Sequence, residues 1–360
     1  MPKKMFILSV LISLIFSTSI LMGNNQKPII IKEQGNFSVG GTKIENPGEF
    51  DNSAFDNFTP VPAGQTFRGD HASVFYQIPE NSKKLPLVFL HGAGLSSKSW
   101  GTTPDGREGF QNIFLRRKFS VYLVDQPRRG QAGRSTAATT IEPLADEQMW
   151  YDIWRIGLWP NPFKNVKFPT DEESLNQFFR QMTPNTGPFD LELVSTTMSQ
   201  LFDKTGPGIL VTHSQGGLPG WYVRIKNDNV KAIVSYEPGN YVFPKNEAPK
   251  PMKGLTGVLT AQEVSKEDFM KLTKIPIVIY FGDNIPEEVS KELGAENWRT
   301  RLQMGRKFVE TVNKYGGSAT LIELPKIGVY GNTHFPFTDT NNVEIADLLS
   351  KWLKENKLDR

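Results

Sequence analysis

Ser214 stands in Thr212-His213-Ser214-Gln215-Gly216-Gly217, directly after the apolar run Ile209 to Val211 and before a segment with helical spacing in which Pro219 takes a permitted first-turn position. Strand, sharp turn and helix form the setting in which a serine hydroxyl is held out of a strained turn as a nucleophile, with small residues where backbone and helix approach. Gly216 and Gly217 supply those small neighbours. Thr212 replaces the first glycine of the G-x-S-x-G pattern, so the pattern alone suits a helix-capping serine equally well. The partners of Ser214 must decide.

A serine of this kind needs a base, and the chain has only 4 histidines. His334 is best placed: it follows the last apolar run, in Gly331-Asn332-Thr333-His334, on a loop before the final amphipathic segment, as the order nucleophile, acid, histidine requires. His71 precedes the central runs, His91 ends an early one, and His213, beside Ser214, is expected to point away or to line the pocket wall. The tetrahedral oxyanion needs hydrogen-bond donors, for which backbone amides suffice. The run Leu85 to Leu90 ends in His91-Gly92-Ala93-Gly94-Leu95, which nominates the amide of Ala93, with that of Gln215 after the nucleophile as the second donor. Gly92-Ala93-Gly94 and Asp125 also begin a dinucleotide-binding fingerprint, but Ser97 stands at its third glycine position and no separate substrate domain is apparent.

Two further runs end in carboxylates, at Ser235-Tyr236-Glu237-Pro238-Gly239 and at Phe281-Gly282-Asp283-Asn284. Either can hold an imidazole in its working tautomer. An acid after the penultimate strand is the commoner arrangement and favours Asp283. Placement one strand earlier favours Glu237, whose longer side chain suits the greater reach.

The elements that must position these residues are short, nearly continuous apolar runs: Leu85 to Leu90, Val121 to Val124, Gly208 to Val211, Ala232 to Val234, Ile275 to Phe281 and Ala319 to Leu324. Such runs without alternation are expected of strands buried on both faces of a parallel sheet. Between them, helical spacing is found over Gly109 to Lys118, Leu218 to Lys226, Trp298 to Tyr315 and Val343 to Leu353, the last with Ile345, Leu348, Leu349, Trp352 and Leu353 on one face. The alternation predicts a doubly wound, mostly parallel α/β sheet. The stretch from Gln126 to Pro207 is too long for an ordinary crossover and carries Trp150, Trp154, Trp159, Phe163, Phe168, Phe178 and Phe179. A lid insertion is expected over about residues 136–205, its aromatics divided between pocket cover and a subsidiary core. Residues 24–64, polar and rich in Gly, Pro and Asn with short extended pieces such as Phe37 to Val39, are read as an arm laid over a main domain of residues 65–360.

The chain has 360 residues, 38% of them hydrophobic, enough for one large core. A net charge of +3, evenly scattered, gives no nucleic-acid footprint. Lys3 and Lys4 precede an uncharged run from Met5 to Met22, which predicts a signal peptide over residues 1–23 and a secreted or periplasmic protein; the same run as an uncleaved anchor would also export the rest. With 0 cysteines the exported domain relies on its core rather than on disulfides. No His-Glu-x-x-His segment, clustered ligand set or phosphate-cradling loop points to a metal or cofactor. The expected partner is a small-molecule ester, with no nucleic acid and no membrane span after processing.

Several segments together resemble a group of secreted bacterial esterases of the α/β-hydrolase superfamily that use a glutamate as triad acid. They are His91-Gly92, Trp100-Gly101-Thr102-Thr103-Pro104-Asp105-Gly106-Arg107, Val124-Asp125-Gln126, His213-Ser214-Gln215, Val234-Ser235-Tyr236-Glu237-Pro238-Gly239, Phe281-Gly282-Asp283 and Gly331-Asn332-Thr333-His334. The resemblance implies an α/β-hydrolase fold, a triad of Ser214, Glu237 and His334, an oxyanion hole at Ala93 and Gln215, and a homodimer. Asp283 then becomes a structural or supporting residue. Relatives of this fold that open epoxides or remove halogens use aspartate at the elbow, a route that Ser214 excludes. A depolymerase, lactonase or amidase with the same triad remains open, as does a binding protein on a hydrolase scaffold.

Overall fold

Residues buried on both sides make the centre of the sheet. In the computed structural model, which describes residues 27–54 and 61–360, β3 (Leu87–Leu90), β5 (Gly208–His213) and β7 (Pro276–Phe281) are almost wholly buried. They join β1 (Ile31–Glu45), β2 (Thr66–Pro79), β4 (Val121–Asp125), β6 (Val230–Tyr236) and β8 (Ser318–Glu323) in one sheet of order β1-β2-β4-β3-β5-β6-β7-β8. From β4 to β8 neighbouring strands are parallel, and β1 and β2 add an antiparallel edge. The doubly wound, mostly parallel sheet expected from the sequence is therefore present.

Alternate residues of each strand serve opposite faces. On β3, Val88 and Leu90 join the core that includes Val194, Met198, Leu201 and Trp221. Phe89 points the other way, with ring centroids 5.0 Å from Trp100 and 6.4 Å from Phe114. That second face is covered by α1 (Phe110–Arg116) and, against it, α8 (Asn342–Glu355). The first is covered by α4 (Leu191–Thr205), α5 (Gly217–Lys226) and α6 (Lys266–Leu272), packed in a row, and by α7 (Leu293–Lys314).

Residues 31–360 form one unit. The segment read from sequence as an arm is in large part the edge strand: β1 pairs with β2 from Ile31 opposite Pro79 to Glu45 opposite Thr66. Beyond the extended piece Phe37 to Val39 within β1, neither strand is legible in the sequence, because their solvent-facing positions are polar and neither shows an apolar run. The expected signal peptide, residues 1–23, lies outside the described residues. Among those described, no helix is long and apolar enough to cross a membrane.

The insertion divides. Its first helices, α2 (Glu147–Ile153) and α3 (Glu172–Arg180), lie over the carboxyl ends of the strands, where Phe178 and Phe335 pack on Trp154 and Phe168 packs on Phe178. Its last helix, α4, instead packs on β1, β2 and α5 and belongs to the sheet layers rather than to a cover. Trp159 is exposed, whereas Phe168 and Phe178 are buried.

Candidate active site

The segments carrying Ala93, Ser214, Glu237 and Asp283 lie just beyond the carboxyl ends of parallel strands, and His334 lies on the longer loop after the last one, at the edge where open α/β sheets bind ligands. β5 delivers Ser214 into a single helical turn, Ser214–Gly216, that runs on into α5. Ser214 has φ of 52°, the left-handed region that an L-residue enters only when its surroundings hold it there. The turn needs space: a Cβ on Gly92 would fall 2.8 Å from the Cβ of Ser214 and from Nδ1 of His213. Thr212 fits where the motif has glycine because its hydroxyl donates to Ser235 Oγ at 2.8 Å. Its methyl lies against Gly220, where a Cβ would come within 2.8 Å.

The loop after β8 carries His334, with its ring fully buried. Nδ1 is 2.6 Å from Oε2 of Glu237, which leaves Nε2 as the acceptor nitrogen; Nε2 has no hydrogen-bond partner among the described residues. Ser214 and His334 line the same cavity. Glu237, at the end of β6 with φ of 44°, spends its other oxygen, Oε1, on the amide of Gly282 at 2.7 Å and on Nη2 of Arg155 at 2.5 Å. Burial, with the guanidiniums of Arg155 and Arg301 next in effect, holds the His334 imidazole well below its usual protonation range.

Asp283, the other candidate acid, is not brought to His334. Its Oδ2 accepts the amide of Gly331 at 2.7 Å and its Oδ1 that of Asn284 at 2.7 Å, so it ties the end of β7 to the start of the histidine loop. Asp339 braces the same loop by accepting from the Thr333 amide and hydroxyl, each at 2.8 Å, and from Asn332 Nδ2 at 2.9 Å.

Sequence reasoning missed several positioning groups. Arg155, just past α2, is fully buried and also donates through Nε to the carbonyl of Asp283 at 2.8 Å. Trp154 next to it accepts the His334 amide at 3.0 Å, so the insertion is built into the site. His213 does line the cavity wall, as expected, and in addition donates Nε2–H to the His334 carbonyl at 3.0 Å. Trp298 on α7 lies against the His334 ring at 4.0 Å between centroids and anchors its own indole N–H on the Ile153 carbonyl at 2.8 Å. Each contact joins residues far apart in sequence, and no local pattern announces it.

Ala93 and Gln215 line the cavity together with Ser214. The Ala93 amide has no partner among the described residues, and Gln215 sits in the first turn after β5, where an amide has no acceptor within the helix. Below them Arg129 donates to the Gly92 carbonyl at 2.8 Å and to Oε1 of Gln215 at 3.2 Å, fixing both loops. The dinucleotide alternative is not built: Asp125 accepts the amides of Ser97 at 2.5 Å and Gln131 at 2.8 Å and so closes its own loops.

The cavity has a volume of about 430 Å³, within the range of small-molecule sites. Trp150, Ile153, Trp154, Phe189 and Leu218 give it apolar walls, and Asn240, Thr256, Asn297 and Arg301 polar ones.

With the fold and this geometry in hand, comparison with known proteins gives the class: residues 87–331 match the Alpha/beta hydrolase family, and the chain belongs to it. A solved structure described as that of a novel bacterial esterase superposes with a TM-score of 0.73 at 29% sequence identity, covering 93% of this chain and 99% of its own. A probable secreted lipase, phiG, from Fungal sp. (strain ATCC 74256) is 25% identical over 316 residues, 77% of this chain and 84% of the fungal one. These two relatives, an esterase and a probable lipase, are what the chain is similar to within that family.

Proposed function

We propose that the chain is an exported serine carboxylesterase in which Ser214 is the nucleophile, His334 the general base and Glu237 the acid that orients it. The observation that carries this reading is the pairing of Glu237 Oε2 with His334 Nδ1 at 2.6 Å, which leaves Nε2 without a partner in the cavity that Ser214 lines. Ser214 Oγ attacks the ester carbonyl carbon while His334 Nε2 takes its proton. The carbonyl oxygen becomes an oxyanion held by the amides of Ala93 and Gln215. Collapse breaks the bond to the alcohol, which leaves with the proton from His334. Water, deprotonated by the same nitrogen, then attacks the acyl-Ser214 carbonyl, releasing the acid and restoring the serine. No step calls for a metal or cofactor. Export is supported by the basic start and uncharged run at the N-terminus and by the secreted relative.

A fluorophosphonate probe should label the folded protein once, on the peptide that holds Ser214. Ester turnover should fall by about 10⁶ in Ser214→Ala, as for the nucleophile of subtilisin. Folded protein that neither takes the label nor hydrolyses short p-nitrophenyl esters would remove the proposal.

A further inference from the structure

The cavity carries a cation that the ester chemistry above leaves unused. Arg301 lies on α7 one turn from Trp298 and Asn297, so the three share a helix face, and all three line the cavity. Its Nη1 donates to the Asn297 carbonyl at 2.8 Å and to Oδ1 of Asn297 at 2.6 Å. The same Oδ1 accepts the Thr256 hydroxyl at 2.9 Å, so the guanidinium is held in one orientation. The Arg301 carbon Cζ stands 5.4 Å from the Trp298 ring, the ring that also packs against His334.

Among the described residues no carboxylate lies within ion-pair distance of Arg301, and Nη2 and Nε have no hydrogen-bond partner. The contrast with Arg155 is direct, since that guanidinium is matched by Glu237. Arg301 is half-buried, and its partial removal from water pulls the guanidinium down to about 10. A partly desolvated cation without a counter-ion is stabilised when an anion completes it. The two free donor groups form the planar fork that takes a carboxylate in bidentate fashion.

We infer that the substrate is an ester bearing a carboxylate, which Arg301, fixed by Asn297 and Thr256, receives while Ser214 attacks the ester carbonyl. The inference rests on the reading of Ser214 as nucleophile and adds the substrate class to it. The apolar walls from Trp150, Trp154 and Leu218 then house the uncharged remainder of the molecule.

The test uses two series of esters. One comprises p-nitrophenyl half-esters of succinic, glutaric and adipic acids, the other butanoyl esters of short hydroxy acids, each compared with a neutral analogue of the same length. In one series the wild-type enzyme should favour the anionic ester in kcat/KM by about tenfold or more. Arg301→Gln should lower the ratio of anionic to neutral kcat/KM by about thirtyfold or more, the effect of truncating one member of a desolvated charge pair. Arg301→Lys, which keeps the charge without the fork, should retain part of the preference. Equal wild-type rates for charged and neutral esters in both series overturn the inference without any variant. So does a ratio left unchanged by Arg301→Gln while the acid limb of the pH profile shifts for every ester, because Arg301 then acts only on the charge of His334.

Calorimetry of monomethyl glutarate with Ser214→Ala protein, alone and combined with Arg301→Gln, separates the two proposals. Binding that depends on Arg301 in a protein whose wild type hydrolyses no ester keeps this subsite and rejects the esterase reading. Ester turnover without that dependence does the reverse.

Discussion

Glu237 reaches His334 from the strand before the one that ends in Asp283, with Oε2 at 2.6 Å from Nδ1. The longer side chain of a glutamate supplies part of the added reach, and Glu237 stands at the strand end with a positive φ of 44°. Asp283 meanwhile is occupied by the Gly331 amide. Glu237→Gln should lower kcat by about 10⁴, the loss seen when a triad acid is made neutral. Asp283→Asn should cost about 1–2 kcal/mol of stability from one mismatched hydrogen bond and a far smaller share of kcat. Steady-state kinetics on both variants decide the matter, since a large fall confined to Asp283→Asn assigns the acid to the wrong strand here.

Arg155 and Glu237 form a buried ion pair, with exposures of 1% and 0% of the side chains. Burying either charge alone is costly, so Arg155→Met should destabilise the fold by about 3–5 kcal/mol in urea unfolding. Adding Glu237→Gln removes the orphaned charge, and the double variant should recover part of that loss. Equal instability of the single and double variants would mean that the two side chains are not energetically coupled.

The contrast between these two carboxylates and their partners shows where the sequence was readable. The candidates Ser214, Ala93 and Gln215 could be singled out because each follows a run of residues buried on both strand faces, and such runs are local; His334 could be because its loop lies between the last apolar run, on the half-exposed β8, and the final amphipathic helix. The antiparallel strands β1 and β2 were not read as part of the sheet, since half-exposed strands mix polar with apolar residues. Arg155, Trp298 and Arg301 were also invisible. Arg155 meets Glu237 across 82 residues of chain, and nothing near it distinguishes it from the 41 basic residues of the protein. The insertion was read as a cover because it is long and aromatic, yet its residues Ile153 to Arg155 are fastened to Trp298, His334 and Glu237.

Gly92 tests how tightly the elbow is packed. A methyl group there would meet the Ser214 Cβ and His213 Nδ1, both at 2.8 Å, and neither can retreat without moving β5 or the His334 carbonyl that His213 holds. Gly92→Ala should cost about 1–3 kcal/mol as overpacking. Because a displacement of about 1 Å at the reacting atoms is worth about 10² in rate, kcat/KM should fall by about that factor. A variant with unaltered kcat/KM and thermal midpoint would show that the Gly92 loop can move aside freely.

The pH dependence follows from the surroundings of His334. The base works only as neutral imidazole, so kcat/KM is lost as the pH falls through the pKa of the free enzyme. Burial disfavours the imidazolium most, and the positive charges of Arg155 and Arg301 add to that effect. Glu237 pulls the other way through Nδ1, but its second oxygen is already engaged by Arg155 and the Gly282 amide. The balance lowers the pKa from the ordinary histidine value of 6.5. The acid limb of kcat/KM should therefore have its midpoint below that value, leaving the rate level from there to weakly alkaline pH. Neutralising Glu237 removes the pull toward imidazolium, so any residual activity of Glu237→Gln should have its acid limb at lower pH still. A wild-type midpoint above 6.5 would mean that the carboxylate outweighs burial and both guanidiniums, and the order of effects argued for this imidazole would be reversed.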